Sequence, residues 1–479
     1  MRSAPRVVVI GGGLAGMAAA LACADAGARV TVLEKRRHLG GLTWSFEHDG
    51  LMMDNGQHVF LRCCSAYLDF LDRTGSAGDV EIQDRLDVTV VRPGRGTGMG
   101  MERGVIRRDR ARPPLHLARA LARYPLVPWQ ERAKLGPAVL ALARMDLDDP
   151  ALDGETFAHW LERHHQGLGA ISGLWDLICL PTVNLSAAEA SLAMAAKVFQ
   201  TGLLRDATAA DIGWSRVPLG LLHGERGAAA LRKAGAEVHF GVTAREVVLE
   251  GTRGEGAEEG EGNFRVLASD GQLAADAVVV ALPHYCTEEV LPAGALGPCR
   301  PSRLGSSPIV NVHVQFDRKV TDLPLAASLG TAAQWIFDRT ASSGAERGQY
   351  LAVSISAADD YIGPRPEELG AEVVAALRRI FPQARDAKVL QSFVTREHHA
   401  TFRAVPGSAA QRSPARTKYP GLVVAGAWTA TGWPPTMESA VRSGAIAARA
   451  ALVSAGQWRR LPPLPDVAGR AHADDKEMS

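Results

Sequence analysis

Residues 6–44, RVVVIGGGLAGMAAALACADAGARVTVLEKRRHLGGLTW, constrain the fold more than any other stretch of the chain. Val7 to Ile10 form an apolar, β-branched run. Gly11, Gly13 and Gly16 follow as G-x-G-x-x-G, and an alanine-rich segment continues at helical spacing to Gly27. A second apolar run, Arg29 to Leu33, ends at Glu34. Strand, tight turn, helix, strand and terminal acid in this register make a βαβ dinucleotide-binding unit, in which the acid stands roughly twenty residues past the first glycine and meets an adenosine ribose. Gly11 makes the turn and Gly13 lets backbone approach a pyrophosphate. The helix start offers free N–H groups and the positive end of its dipole. The glycines alone would be weak evidence in a chain with 49 of them; the complete context gives the assignment its weight.

With 479 residues the chain is long enough for two domains, because single cores rarely grow past roughly 250–300 residues. Net charge is +1, which gives no reason to expect nucleic acid, and no nucleic-acid motif is present. Cys23, Cys63, Cys64, Cys179, Cys286 and Cys299 show no C-x-x-C spacing, so neither a disulfide framework nor a metal site is expected, and a reduced, cytoplasmic setting fits. Arg2 and Arg6 precede an apolar run that glycines break after four residues, so this is a core strand and not a signal peptide. No apolar stretch reaches membrane-spanning length, so any membrane contact must be peripheral, on the inner face of the cell membrane.

Further along, Asp54-Asn55-Gly56 reads as a turn before a short strand, Val59 to Leu61, and Ser65 to Gly75 as an amphipathic helix. Arg92 to Pro114, with seven arginines and little apolar content, is expected to be a loop or partly disordered. Leu115 to Met145 has helical periodicity interrupted at Pro125, Pro128 and Pro137, and serves either as a solvated cap-domain helix set or as a basic membrane-surface patch. Trp175 to Arg205 is mostly apolar, breaks at Pro181 and restarts at Ser186 with the S-x-x-E pattern of a capping box; it is plain core or the lining of an apolar cavity. Residues 235–283 return to strand pairs around a polar loop at 255–263. Strands follow at Ile309 to Phe316, Tyr350 to Ile355 and Val389 to Val394, with a helix from Pro366 to Phe381. GLVVAGAW from Gly421 is a strand, and a helix starts near Thr436. The tail beyond Trp458 is expected to be disordered.

Past Glu34, Arg36, Arg37, Gly40, Gly41 and Thr43 resemble the R-x-G-G continuation of the flavin monooxygenase and amine oxidase superfamily. With DNGQHV at 54–59, the segments within 175–220 and GAWTATGWPPTMESAVRSG at 426–444, the chain resembles the flavin amine oxidase and phytoene desaturase superfamily. More narrowly it is similar to the squalene-associated FAD-dependent desaturases, the hydroxysqualene dehydroxylases of hopanoid biosynthesis. The resemblance implies an α/β (α+β overall) architecture: a Rossmann-like FAD-binding domain assembled from 1–90, 223–290 and 416–456, and a mixed sheet-and-helix substrate domain from 91–222 and 291–415. It implies FAD held by Gly11, Gly13, Gly16, Glu34, Lys35, Arg36, Gly40, Gly41 and Thr43. Gly56, Gln57 and His58 would pass close to the isoalloxazine, the Val242 backbone would meet the adenine, and Gly426, Ala427, Met437 and Glu438 would complete the site. Ala427 stands where the family usually has Asp.

The implied reaction removes the hydroxyl of an apolar isoprenoid, hydroxysqualene, with reduced FAD as hydride donor. It needs an acid, for which His58 and Asp54 are the candidates, although Asp54 reads equally well as a structural turn carboxylate. Tyr285, Trp335, Trp428 and Trp433 are candidate cavity walls. The alternatives are a carotenoid-type desaturase, a flavin-binding protein without catalysis, and an amine oxidase. The last is disfavoured because PIVNVHVQF at 308–316 lacks the lysine such enzymes carry beside the flavin. Oligomeric state stays open.

Overall fold

The computed structural model describes residues 4–94, 101–250 and 263–456. Its organising layer is a five-stranded parallel sheet in the order β10-β2-β1-β14-β20, made from β1 (Arg6–Ile10), β2 (Arg29–Glu34), β10 (Glu237–Phe240), β14 (Ala277–Val280) and β20 (Leu422–Val424). Val7, Val8 and Val9 lie opposite Ala277, Val278 and Val279, and every residue of β14 is buried. Strands covered on both faces need continuous apolar runs, which is why these segments read so clearly. The first helix (Leu14–Asp25) packs on one face beside the C-terminal helix (Met437–Ser454). They approach so closely that a Cβ on Gly444 would lie 2.3 Å from the Ala15 carbonyl oxygen.

A seven-stranded mixed sheet forms the second layer, in the order β19-β15-β18-β17-β16-β7-β8. Its strands are β7 (Asp87–Pro93), β8 (Met101–Arg107), β15 (Ser306–Phe316), β16 (Leu325–Ser328), β17 (Trp335–Asp338), β18 (Gln349–Ile355) and β19 (Val389–Phe402). The helix Pro366–Ile380 covers it, burying Leu369, Val373, Leu377 and Ile380. Three smaller sheets accompany these layers. β3 (Ser45–His48) and β4 (Leu51–Asp54) form a hairpin; β5 (Val59–Leu61), β9 (Ile212–Ser215) and β6 (Val80–Ile82) form a three-stranded sheet; and β11 (Ala244–Leu249), β12 (Phe264–Ala268) and β13 (Gly271–Ala275) form another.

Three local expectations need correction. The arginine-rich stretch after Arg92 is in part β8, paired with β7; Gly104 and Ile106 point inward, and Arg92–Glu102 and Arg107–Asp87 are cross-strand ion pairs. Arg103 and Arg107 lie on the solvent face of this strand, and residues 95–100 lie outside the described residues. The capping-box pattern at Ser186 starts only an isolated turn: Glu189 reaches Arg403, and the helix begins at Leu192 after Ser191. Neither Pro137 nor Pro181 ends its helix (Trp129–Arg144 and Asp176–Val183); for Pro137 the unpaired carbonyl would be that of exposed Ala133, which water can satisfy. The polar loop at 255–262 and the tail from 457 lie outside the described residues.

Candidate functional site

The first helix starts at Gly13 with no side-chain cap and no acid in its first turn, so its leading N–H groups are available to an anion. Gly12 N–H donates instead to Glu34 Oε2 (2.7 Å) and Arg36 N–H to Glu34 Oε1 (2.8 Å). Glu34 thereby shapes both turns, and each oxygen retains a lone pair for a ribose hydroxyl. Gly40 N–H donates to the Gly12 carbonyl (2.9 Å), and Arg36 Nη1 and Thr43 Oγ1 donate to the Gly41 and Gly40 carbonyls (3.1 and 2.8 Å). The two glycine turns meet through bare backbone: a Cβ on Gly41 would come within 2.9 Å of Gly13 Cα, and one on Gly16 within 1.9 Å of the Gly11 oxygen. A Cβ on Gly13, by contrast, meets nothing closer than 3.8 Å, so a side chain there would extend into the space a ligand uses. An uncapped helix start facing a cradle of glycines fits the diphosphate of FAD. Lys35 is exposed beside the turn. Val242 N–H is committed to the Glu34 carbonyl (3.1 Å), so its own carbonyl is the group left to meet an adenine.

At the other end, β20 runs into the loop 425–436 and the C-terminal helix, whose cap is Thr436 Oγ1 accepting from Ser439 N–H. Gly426 N–H donates to Ser443 Oγ (2.8 Å), and the Ala427 carbonyl accepts from Ser439 Oγ (2.9 Å). Met437 is half-buried at the helix start. The Glu438 side chain turns inward: it accepts from Ala66 and Tyr67 N–H (3.2 and 2.7 Å), capping the helix Ser65–Thr74, and pairs with Arg442 (2.6 Å). What it binds is another helix of this chain.

DNGQH passes between these layers. Asp54 closes β4; its Oδ1 accepts from Ser45 Oγ (2.7 Å) and Leu219 N–H (2.9 Å), and its Oδ2 from Arg339 Nη2 (3.0 Å). Both members of the Asp54–Arg339 pair are buried. Every partner of Asp54 is a donor, which suits an ionised carboxylate acting as a latch, so its geometry favours the turn-carboxylate alternative over a proton source. Gly56 and His58 share a corner with Asn311: a Cβ on Gly56 would lie 3.3 Å from His58 Cε1 and 3.4 Å from Asn311 Nδ2. His58 Nδ1 lies 3.1 Å from the Gly56 carbonyl, so Nδ1 carries the proton and Nε2 is the exchanging nitrogen. Burial holds the His58 imidazolium below the usual histidine range, opposed by the Gly56 carbonyl and the Asp54 charge. His58, Gln57 and Asp54 line a cleft whose other walls include Trp214, Leu219, Phe337 and Arg339. Of the aromatic candidates, none reaches this cleft: Tyr285 is exposed against His399, Trp335 stacks beside Phe337, Trp428 donates to the Leu282 carbonyl, and Trp433 is buried.

The family model for flavin containing amine oxidoreductases matches residues 14–452. The chain belongs to this family. It is an FAD-dependent oxidoreductase with an α/β FAD-binding fold and a second sheet domain. Its relatives include a hydroxysqualene dehydroxylase of Rhodopseudomonas palustris, 27% identical over 448 residues covering 92% of this chain and 97% of that one. They also include a probable zeta-carotene desaturase of Synechococcus elongatus, 22% identical over 483 residues covering 93% and 98%. Cyclohexylamine oxidase from Brevibacterium oxydans shares the fold with a TM-score of 0.67 at 19% identity, covering 95% of this chain and 100% of that chain.

Sequence reasoning missed the residues that hold this family member's site together from a distance. Asn311 Nδ2 and Thr395 Oγ1 both donate to the Asn55 carbonyl, while the Asn55 side chain bonds Trp44 N–H and the Leu42 carbonyl, so one residue ties the second sheet to the glycine turn. His223, fully buried with Nε2 2.8 Å from Tyr67 Oη, has its pKa pushed down to about 3 by burial and by nearby His58. Arg339 and Arg412 had no local signal, since their partners lie elsewhere in the sequence.

Proposed function

We propose that the chain removes the hydroxyl of hydroxysqualene reductively, giving squalene. FAD, when reduced, supplies the hydride; the protein supplies a proton, so that R–OH, hydride and H⁺ become R–H and water. The observation that carries this reading is the make-up of the cleft: an imidazole with one exchanging nitrogen set among Trp214, Phe337, Leu219 and Val59. Asp54 is committed to Arg339, and Asp338 accepts from Thr340 and Gln349. The aromatic and aliphatic walls suit an apolar alcohol. His58, protonated at Nε2, is the group suited to convert departing hydroxide into water.

Anaerobic incubation of the reduced protein with hydroxysqualene should yield squalene with reoxidation of the flavin. Absence of squalene together with turnover of a polyene by the oxidised protein would transfer the assignment to the carotenoid desaturases, which the near full-length relatives of that type keep as the second reading.

The substrate is lipid-soluble, and the reading includes peripheral loading from a membrane. Among the described residues no helix is long and apolar enough to cross one. Residues 101–144 hold ten basic and three acidic side chains in a chain of net charge +1. Beside them Trp129 and Leu168 are 68% and 82% exposed, flanking Pro128. Exposed aromatic and apolar side chains in a basic stretch suit an anionic bilayer surface. Sedimentation with anionic vesicles should be lost at high salt and on Trp129→Ala; equal, negligible binding to anionic and neutral vesicles would remove this part of the reading.

A further inference from the structure

Cys63 and Cys64 are adjacent in the chain, both half-buried, on the turn that feeds the helix Ser65–Thr74. Backbone bonds fix that turn. Cys63 N–H donates to the Ala209 carbonyl (3.1 Å), Cys64 N–H to the Leu61 carbonyl (2.9 Å), Ser65 N–H to the Cys63 carbonyl (2.9 Å) and Leu68 N–H to the Cys64 carbonyl (3.0 Å). Cys64 occupies the N-cap but its side chain caps nothing. The cap comes from Glu438, in the first turn of the C-terminal helix, which accepts from Ala66 and Tyr67 N–H (3.2 and 2.7 Å). Arg442 of the same helix pairs with Glu438 (2.6 Å) and donates to Ser65 Oγ (3.1 Å). The three residues after the cysteines are therefore where this helix grips the one that completes the FAD site.

The two thiols are chemically unequal. Cys63 is held below the ordinary thiol range, first by a hydrogen bond from Cys64, against burial and the Glu438 charge; Cys64 is pushed well above it by the same hydrogen bond and by burial. Burial also raises the thiols of Cys23, Cys179 and Cys286. A readily ionised thiol beside a protonated one is the arrangement in which the first is oxidised and the second resolves the product. Consecutive Cα atoms stand about 3.8 Å apart, below the roughly 4.4–6.8 Å usual for a disulfide. Joining these sulfurs therefore twists the Cys63–Cys64 peptide and the hydrogen bonds on either side of it, and leaves a bond that reductants open easily.

We infer that Cys63 and Cys64 form an oxidative modification site: hydrogen peroxide converts them to an adjacent disulfide, and the twist draws Ala66 and Tyr67 away from Glu438 and loosens FAD. The Cys63 thiolate attacks peroxide, giving a sulfenic acid and hydroxide. The Cys64 sulfur then attacks the Cys63 sulfur, forming the S–S bond and expelling a second hydroxide. With the two thiol protons, the sum is two thiols and one peroxide to one disulfide and two waters. Peroxide is what a reduced flavin yields on meeting dioxygen, so the pair responds to wasteful reoxidation of the protein's own cofactor. The inference rests on the FAD site and not on the dehydroxylase reading.

The test treats the FAD-loaded protein with hydrogen peroxide, quenches with catalase, then unfolds, alkylates and digests it for mass spectrometry. The peptide spanning Cys63 and Cys64 should be lighter by two hydrogens and unalkylated at both sulfurs, and dithiothreitol should restore it. The FAD dissociation constant, read from flavin fluorescence, should rise about tenfold after peroxide, the size of a lost helix cap, and fall back on reduction. Cys64→Ser should carry sulfinic acid on Cys63 instead, and Cys63→Ser should keep its FAD affinity through the treatment, which separates the pair from Cys286 and Cys299. Both sulfurs still alkylated in peroxide-treated wild type, or sulfinic acid on Cys63 beside an alkylated Cys64, would overturn the site. A disulfide formed with an unchanged FAD dissociation constant, or an equal loss of affinity in Cys63→Ser, would overturn its hold on the cofactor.

Discussion

Asp54→Asn separates a latch from an acid. The substitution keeps the shape but puts an NH₂ or a neutral oxygen opposite Arg339, whose guanidinium is 8% exposed and otherwise meets only the Ser215 and Val217 carbonyls. Removing one partner of a buried ion pair typically costs about 3–5 kcal/mol because the remaining charge is stranded. The Ser45 and Leu219 donors lose an ionised acceptor as well, which places the expected loss within that range and not below it. That corresponds to a roughly 100- to 4,000-fold rise in the unfolding equilibrium constant. Urea unfolding of the FAD-loaded protein, followed by flavin release and far-UV circular dichroism, measures it. The double variant Asp54→Asn/Arg339→Met should recover much of the loss, since no charge is left buried without its partner. The reasoning fails if Asp54→Asn unfolds at the wild-type urea concentration yet reoxidises its flavin slowly with hydroxysqualene, for then the carboxyl gives up a proton instead of holding an arginine.

His58→Ala should bind FAD normally but slow single-turnover reoxidation by roughly 10²- to 10⁴-fold. Because burial lowers the His58 pKa, the protonated form is lost as pH rises through a value below 6.5, so the wild-type single-turnover rate should fall over that range and the variant's should not; a flat wild-type profile would remove His58 as the donor. Gly13→Val should leave the apoprotein folded and unable to hold flavin through gel filtration, whereas Gly16→Ala, whose Cβ would strike the Gly11 oxygen, should also lose secondary structure; flavin retained by Gly13→Val would displace the cradle. Acid precipitation should release the flavin to the supernatant, and colour kept in the pellet would indicate a covalent link.

What was legible in the sequence was local or continuous. The βαβ unit declares itself because its strands are buried on both faces and its turn needs glycine within six residues, Gly11 to Gly16. β8 was illegible because its solvent face carries arginines whose partners, Asp87 and Glu102, become neighbours only once the hairpin forms. The short strands β16 and β17 lack length for a pattern. At the site, the polar triplet Asp54, Asn55 and Gly56 pointed to the right corner of the molecule, but the function of Asp54 is set by Arg339, 285 positions later. Nothing in a periodicity reports a pairing at that distance.

The parallel sheet also dictates when the protein can be born functional. Its central strand, β1, pairs with β14 some 270 residues on, and its edge strand β20 is not made until residue 424. A nascent chain that has emerged through the whole second sheet still lacks one edge of the first and the helix that packs against Leu14–Asp25. Stable capture of FAD is therefore among the last events of synthesis, and until then the apolar faces of β1 and β14 are exposed to whatever else they can pair with. Free cofactor during expression should raise the soluble yield of this protein, and chains ending before residue 421 should accumulate as aggregates whether or not flavin is supplied.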